Sequence, residues 1–366
     1  MLSIKDNLYN QWNIFHRQET YFTRCCERMN TLPMEAFRDT VYGTTRDSTD
    51  NCKLKMNKKR DFFLGLFVGI VVTYLTTLTS LQSRSQKTKS SENAAIMIQN
   101  DDRLAHHDDN NIAENLEKRV RVLCYVMTCP KNLETRAIHV KKTWGKRCNI
   151  LLFMSSVSNS SFPTIGLNVS EGRQHLTQKD SGAFDYIFEN YRDKADWFLK
   201  ADDDTYVILE NLRYFLKDYN TSDPIFFGHH FKMFSKQGYF SGGAGYVLSR
   251  EALTRLGTKG KDPKLCRKDG AASDAATGQC LEKVGVKVVN SSDALGRSRF
   301  HCFEPESHLF GDYPEWYYKF DANGPRKGME SISDHAISFH YVNPKLMHVM
   351  DLLIYHLKPY GIHSTK

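Results

Sequence analysis

Three carboxylates stand in a row at Asp202, Asp203 and Asp204, directly after the apolar run 197–201. If that run is a strand and its extended geometry continues, Asp202 and Asp204 point the same way, because successive strand side chains alternate. Two like charges held so close repel unless a cation lies between them. Hard carboxylate oxygens suit Mn²⁺ or Mg²⁺, and a diphosphate supplies further oxygens to such an ion. The alternative is a solvated turn that caps a helix near residue 207, since Asp is favoured at helix starts. A position at the carboxyl end of a strand favours the metal. Further on, the segment 240–249, FSGGAGYVLS, carries Gly242, Gly243 and Gly245. Glycines there either let the backbone approach a ligand closely or form a tight bend before a helix at 250. No GxGxxG or GxxxxGK[ST] segment occurs, which removes the usual dinucleotide and P-loop readings.

The elements that must position these residues follow from hydrophobic spacing. Segments 120–127, 149–154, 197–201 and 225–227 are apolar runs of strand length, and 133–144, 183–191 and 207–215 have helical spacing. Strands alternating with helices predict an α/β domain with a mostly parallel sheet covered on both faces. Nucleotides bind at the carboxyl ends of the strands in such sheets.

Ahead of this domain, residues 62–81 carry no charge, a length of helix that spans a bilayer. A cleaved signal peptide normally starts at the N-terminus and has a shorter apolar core. Lys58, Lys59 and Arg60 precede the run and Arg84 is the first charge after it, which orients the N-terminus to the cytosol. The expected organisation is a cytoplasmic tail 1–60, an anchor 61–82, a flexible polar stem 83–118 and a lumenal catalytic domain 119–366. Translation from Met56 would shorten the tail to a few residues. The formal net charge of +8 is modest, and no basic run interleaves with aromatics in the globular part, so a nucleic-acid partner is not expected.

Sequons at Asn159, Asn168, Asn220 and Asn290 all lie beyond the anchor, consistent with a secretory compartment. Cys25, Cys26 and Cys52 precede the anchor and six cysteines follow it, an even number, as a disulfide set requires. None of them has the spacing of zinc ligands.

Five ordered matches, TWGKRCNILLFMSS (143–156), WFLKADDDTYV (197–207), FGHHFK (227–232), KQGYFSGGAGYVLS (236–249) and SFHYV (338–342), show that residues 119–361 resemble the β3-glycosyltransferase family that includes Fringe and the core 1 β3-galactosyltransferases. The resemblance implies a GT-A fold and an inverting transfer of galactose from UDP-galactose to the 3-hydroxyl of GalNAc on Ser or Thr of glycoproteins, in the Golgi. It implies that Asp202, Asp204 and His340 hold Mn²⁺, with Mg²⁺ as the alternative. Asp203, Met127, Gly242 and Gly243 are expected on the donor side. The family places a Glu-Asp pair before a Gly-x-Cys. Here Asp274 matches the Asp and is the expected general base, its alternative being a helix-capping or first-turn acid, while Ser273 replaces the Glu. Trp316, Tyr317 and Tyr318 are the expected acceptor platform, with core packing as the alternative. The resemblance implies bridges Cys124–Cys148 and Cys266–Cys280. Cys129 and Cys302 stand where the family usually has Gly and Pro, and an additional bridge between them is expected. Ser331 and Ile332 replace the family's adjacent cysteines. Relatives often pair as homodimers. A transferase with a different donor or acceptor, such as a Fringe-like GlcNAc transferase, is the first alternative, and a catalytically weak, chaperone-like paralogue the second.

Overall fold

The computed structural model describes residues 110–357. The expected tail, the apolar span 61–82 and the stem up to residue 109 lie outside the described residues. No described helix is long and apolar enough to cross a membrane.

The chain begins its described course with helix α1 (Asn110–Arg119), so regular structure starts inside the segment expected to be a stem. Leu116 is its one side chain packed on the core, too little apolar periodicity to mark a helix in the sequence. The helix is held instead by tertiary bonds: the Asn149 side chain donates to the Glu117 carbonyl at 3.0 Å.

A seven-stranded sheet follows. Its strands are β1 (Val122–Met127), β2 (Ile150–Ser155), β3 (Ile165–Gly166), β4 (Trp197–Asp202), β6 (Ile225–Gly228), β9 (Tyr246–Ser249) and β10 (Lys287–Val288), in the order β10-β6-β9-β4-β1-β2-β3. All run parallel except β9, which is antiparallel to both neighbours. The expected mostly parallel sheet is therefore present. Alternation divides β1 and β4 between two cores. Val122, Cys124 and Val126 share one with Trp197, Leu199 and Ala201, while Leu123 and Tyr125 share the other with Phe198.

Helices α2 (Ile138–Lys142), α4 (Leu209–Leu216) and α9 (Pro344–Tyr355) cover the first face, with Val140, Leu212 and Met347 buried there. Helices α3 (Leu176–Tyr191), α5 (Arg250–Thr258) and α6 (Ser273–Lys283) cover the second, through Phe184, Ile187, Leu253 and Leu281. The expected helix 133–144 is broken into a π-helical turn at Leu133–Ala137, the short α2 and a 3-10 turn at Trp144–Arg147. Helix α3 starts seven residues before the apolar stripe that marked it, at Leu176 rather than 183.

The bridges Cys124–Cys148 and Cys266–Cys280 are closed. The first ties β1 to the residues leading into β2. Cys129 and Cys302 are both free thiols, so the additional bridge expected between them does not form. Cys302 is buried close to Asp321, Tyr313 and Tyr317, whereas Cys129 is half-buried after β1 beside Asp203, Glu171 and Lys179. The two thiols belong to different neighbourhoods.

A smaller sheet joins distant parts of the chain. Strand β12 (Ser338–Phe339) lies between β11 (Phe300–His301), parallel, and β5 (Tyr206–Val207), antiparallel. Strands β7 (His230–Phe231) and β8 (Tyr239–Phe240) form a separate hairpin. Next come α7 (Pro305–Phe310) and α8 (Glu315–Phe320).

Two buried histidines support β11 and β12. The His301 ring stacks on Phe339 with centroids 4.4 Å apart, and His308 accepts from the Phe303 amide at 3.3 Å. Burial depresses His301 to about 3, and burial with the neighbouring rings His301 and His229 depresses His308 to about 2. Each ring is neutral in the fold and takes up a proton on unfolding once the pH is below about 6.5. The stability they permit is complete above that value and is lost as the pH falls toward their folded values. Urea midpoints are expected to decline from about pH 7 to about pH 5, each ring contributing up to about 1.4 kcal/mol per pH unit. Asp180 and Asp203, whose carboxyls burial pushes up to about 6, act in the opposite sense below that pH. The decline is therefore read as the difference between the wild type and His308→Gln, and an unchanged pH slope in that variant would show that the fold accepts the proton on His308.

Candidate active site

Strand β4 ends at Asp202, and its register with β1 sets Met127 opposite Asp202. The chain then turns. The Asp202 amide donates to the Thr205 hydroxyl at 3.1 Å, and the Thr205 amide donates back to the Asp202 carbonyl at 3.1 Å. Thr205 is fixed from two sides. Its hydroxyl donates to the Gly243 carbonyl at 2.7 Å, and its carbonyl accepts from the Trp144 indole at 2.9 Å. The extended geometry therefore stops at Asp202, and a turn orients the three carboxylates. The nearby helix α4 starts at Leu209 with Ile208 as its cap, so the carboxylates do not cap it.

Each carboxylate has a different environment. Asp203 is buried and accepts from the Thr128 hydroxyl at 2.7 Å and the Asn132 amide at 2.9 Å. Burial, then repulsion from Asp204, pushes its carboxyl up to about 6. Asp204 is also desolvated, but His340 and Arg136 outweigh that and hold it at about 2. Its oxygens lie 3.3 Å from His340 Nε2 and 2.8 Å from Arg136. Asp202 pairs with Lys200 Nζ at 2.6 Å.

His340 arrives through the small sheet. Pairing of β5 with β12 places the residues after the aspartate turn beside the residues before His340, and the Val342 amide donates to the Asp204 carbonyl at 2.9 Å. Asp202, Asp204 and His340 then each present one ligand atom, all within 4.8 Å of one another. Two carboxylates and an imidazole fit a divalent cation. Asp203 faces Thr128 and Asn132 and is not part of this group. Burial opposes a proton on His340, yet the Asp204 carboxylate outweighs it and raises the imidazole above its usual range.

The glycines act by close approach. A Cβ on Gly243 would lie 2.0 Å from the His340 ring, and one on Gly242 would lie 2.3 Å from Asp274 and 2.9 Å from Lys200 Nζ. The same loop is also a bend, since Gly245 takes φ +80° and donates to the Gly242 carbonyl at 3.0 Å. Asp274 lies in the first turn of α6 without capping it. Its carboxylate accepts from the Gly242 amide at 2.7 Å, and Ser273 Oγ is 3.4 Å away. Burial raises its proton affinity against the pull of Lys200 and the Gly242 amide.

The expected aromatic platform separates. Tyr317 is buried among His229, Phe303 and Tyr313 and belongs to the core. Trp316 is half-buried against that core, and Tyr318 is exposed. Tyr317 is therefore not a platform residue, because its ring completes the packing of α8. Tyr341, half exposed with φ +55°, stacks on the His340 ring at 3.9 Å.

Sequence reasoning passed over three side chains. Lys200 is buried with Nζ 2.6 Å from Asp202 and 3.0 Å from the Gly242 carbonyl. Its signal was a lysine two residues before Asp202 in an otherwise apolar strand, hence on the same face. Asp180 is buried on α3, where it falls on the stripe of Ala183, Phe184 and Ile187. Arg136, paired with Asp204, carried no signal.

A family model described as Fringe-like matches residues 117–304. The glycoprotein-N-acetylgalactosamine 3-beta-galactosyltransferase 1 of Xenopus laevis is 43% identical over 308 residues, which covers 81% of this chain and 85% of that protein. The beta-1,3-glucosyltransferases of Mus musculus and Homo sapiens are 29% and 28% identical, each over 55% of this chain. The matches span 39% and 38% of the length of those two proteins.

The Gly243→Ala variant tests the metal group. Its methyl would displace His340, so affinity for Mn²⁺ measured by calorimetry is expected to fall by about 10–100-fold with the circular dichroism spectrum unchanged. Unaltered affinity would remove His340 from the ligand set.

Proposed function

Because the chain belongs to the Fringe-like β3-glycosyltransferase family, we propose that it transfers galactose from UDP-galactose to the 3-hydroxyl of GalNAc linked to Ser or Thr of glycoproteins. The 43% identity to a protein named for that activity, over most of both chains, carries the reading. The site supports it. A glycine loop has Asp274 against Gly242 and His340 against Gly243, which sets a proton acceptor and a metal group side by side.

Asp274 takes the proton from the acceptor hydroxyl as it attacks the anomeric carbon from the side opposite the diphosphate, so configuration inverts. Burial raises its proton affinity, which suits a base. Asp202, Asp204 and His340 would hold Mn²⁺, with Mg²⁺ as the alternative. The bound ion would neutralise the leaving diphosphate. Lys200 holds Asp202 and the Gly242 carbonyl in one bonded array. Met127, at the end of β1, and the Gly242–Gly243 backbone form the donor edge, with Asp203 fixing the turn. Tyr318, Trp316 and Tyr341 offer faces for the acceptor sugar.

The proposed setting is the Golgi membrane, with 61–82 as a single-pass type II anchor, the domain in the lumen, and pairing into a homodimer. Asn168, Asn220 and Asn290 are exposed and Asn159 half-exposed, as glycan acceptors must be. The intact Asp202–Asp204–His340 group argues for an enzyme rather than a chaperone-like paralogue.

The purified full-length protein, incubated with UDP-galactose, Mn²⁺ and a GalNAc-bearing glycopeptide, is expected to add one hexose, read by mass spectrometry. Asp274→Asn should lower the rate by about 100–10,000-fold, and Asp204→Ala should abolish metal-dependent transfer. Transfer from UDP-glucose or UDP-GlcNAc but not from UDP-galactose would replace the donor in this reading. Donor binding without transfer to any acceptor would favour the chaperone-like alternative.

A further inference from the structure

Two imidazoles outside the site described above face each other across a helix interface. His139 on α2 and His348 on α9 are 209 residues apart in sequence, yet His139 Nδ1 lies 3.0 Å from His348 Nε2. The ring planes meet at 85° with centroids 5.2 Å apart, so each ring points a nitrogen at the other rather than stacking on it. His348 is exposed and His139 half-buried, which leaves the pair open to solvent ions. The helices beneath are firmly held. Val140 and Met347 are buried in the core, and the Thr143 hydroxyl donates to the His139 carbonyl at 2.7 Å. Asp351, one turn beyond His348, accepts from Arg147 at 3.2 Å and from the Tyr206 hydroxyl at 3.1 Å. Lys142 and Asp351 are the other charged groups that act on the pair. Burial, then repulsion from His348 and Lys142, holds the His139 imidazole below its usual range. Burial does the same for His348, against the pull of Asp351. The neutral imidazole is the form that ligates a metal. One of the two facing nitrogens carries the proton that the other accepts, and moving that proton to the far nitrogen of its own ring leaves two lone pairs aimed at one point.

We propose that His139 and His348 form a second metal site, for a borderline-soft divalent ion of the Zn²⁺, Ni²⁺ or Cu²⁺ class, that braces α2 against α9. Two nitrogens bound at about 2.0–2.1 Å to one tetrahedral ion stand about 3.3 Å apart. The pair must therefore open by only about 0.3 Å from its 3.0 Å separation. Water completes the coordination. The donor set separates this site from the Asp202–Asp204–His340 group. Carboxylate oxygens suit Mn²⁺ and Mg²⁺, whereas a pair of imidazoles alone favours Cu²⁺, Ni²⁺ and Zn²⁺ over Mn²⁺. The position of the pair gives the ion its effect. Helix α2 runs into Trp144, whose indole holds the Thr205 carbonyl, and α9 follows β12 and His340. An ion that joins the two helices tightens the segments flanking the aspartate turn. The two ligands come together only in the folded chain, so the binding energy adds to its stability.

The test melts the full-length protein at pH 7.5 in Mn²⁺, with and without added Zn²⁺ or Ni²⁺, as wild type, His139→Gln, His348→Gln and Asp204→Ala. Calorimetry follows Zn²⁺ binding to each. At ten times the dissociation constant the wild type is expected to gain about 3–6 °C from Zn²⁺. Each glutamine variant should lose that gain and bind Zn²⁺ at this site at least about tenfold more weakly, while its transfer rate in Mn²⁺ stays at the wild-type value. Asp204→Ala should keep the gain, because it leaves the pair intact. Ions held elsewhere on the chain cancel in the difference between wild type and variant. An equal gain in the wild type and both glutamine variants overturns the proposal. So does a gain that disappears in Asp204→Ala but persists in the glutamine variants, since the ion then sits on the aspartate group. If His139→Gln lowers the melting temperature without metal, the exposed His348 decides, and a full gain in its variant refutes the site. A histidine-dependent gain from Mn²⁺ as large as that from Zn²⁺ overturns the assigned class of ion.

Discussion

The site depends on the repulsion among carboxylates that the fold forces together. Asp180, Asp202 and Asp274 surround one buried lysine, and Asp203 and Asp204 share one half-exposed arginine. Two carboxylates about 5 Å apart repel by roughly 3 kcal/mol at an effective dielectric constant near 20. The protein divides this load unequally. Asp204 stays ionised because His340 and Arg136 face it, whereas Asp203 and Asp180 are pushed up because burial dominates. The residual charge converges where Asp202, Asp204 and His340 meet, which is where a divalent cation is most favourable.

The rest of the fold is arranged to sustain that convergence. The central strands deliver Met127 and Asp202 at one edge, and the Cys124–Cys148 bridge holds β1 to the chain entering β2. The Trp144 indole and the Gly243 carbonyl lock Thr205, which fixes the aspartate turn. The pairing of β5 with β12 brings His340 across a long interval of sequence. Gly242 and Gly243 allow the loop to lie directly against Asp274 and His340, so a single backbone segment spaces the metal group from the base. Neutral buried histidines behind β11 and β12 make this support sensitive to acid.

Cys129 and Cys302 are free thiols. The thiols stand apart because one follows β1 beside Asp203 and the other lies under the α8 aromatics.

What the sequence determined by itself was local and periodic. Apolar runs located the strands, and three aspartates at the end of one of them located the candidate metal group. The glycine run marked the loop, whereas His340 and Asp274 were singled out only by the resemblance to the β3-glycosyltransferases. The strands, the aspartate row and the glycine run are legible in one dimension because their residues either adjoin each other or follow a strand or helix period. Only the tertiary structure decided that helix α1 belongs to the domain, that Tyr317 is core, that Asp203 turns away from the metal group, and that Cys129 and Cys302 remain free. It alone placed Lys200, Arg136 and Asp180 in the site. Each of those outcomes depends on which helix covers which face of the sheet and on how much water is excluded there. Burial and long-range charge proximity are properties of the packed chain and have no period in the sequence.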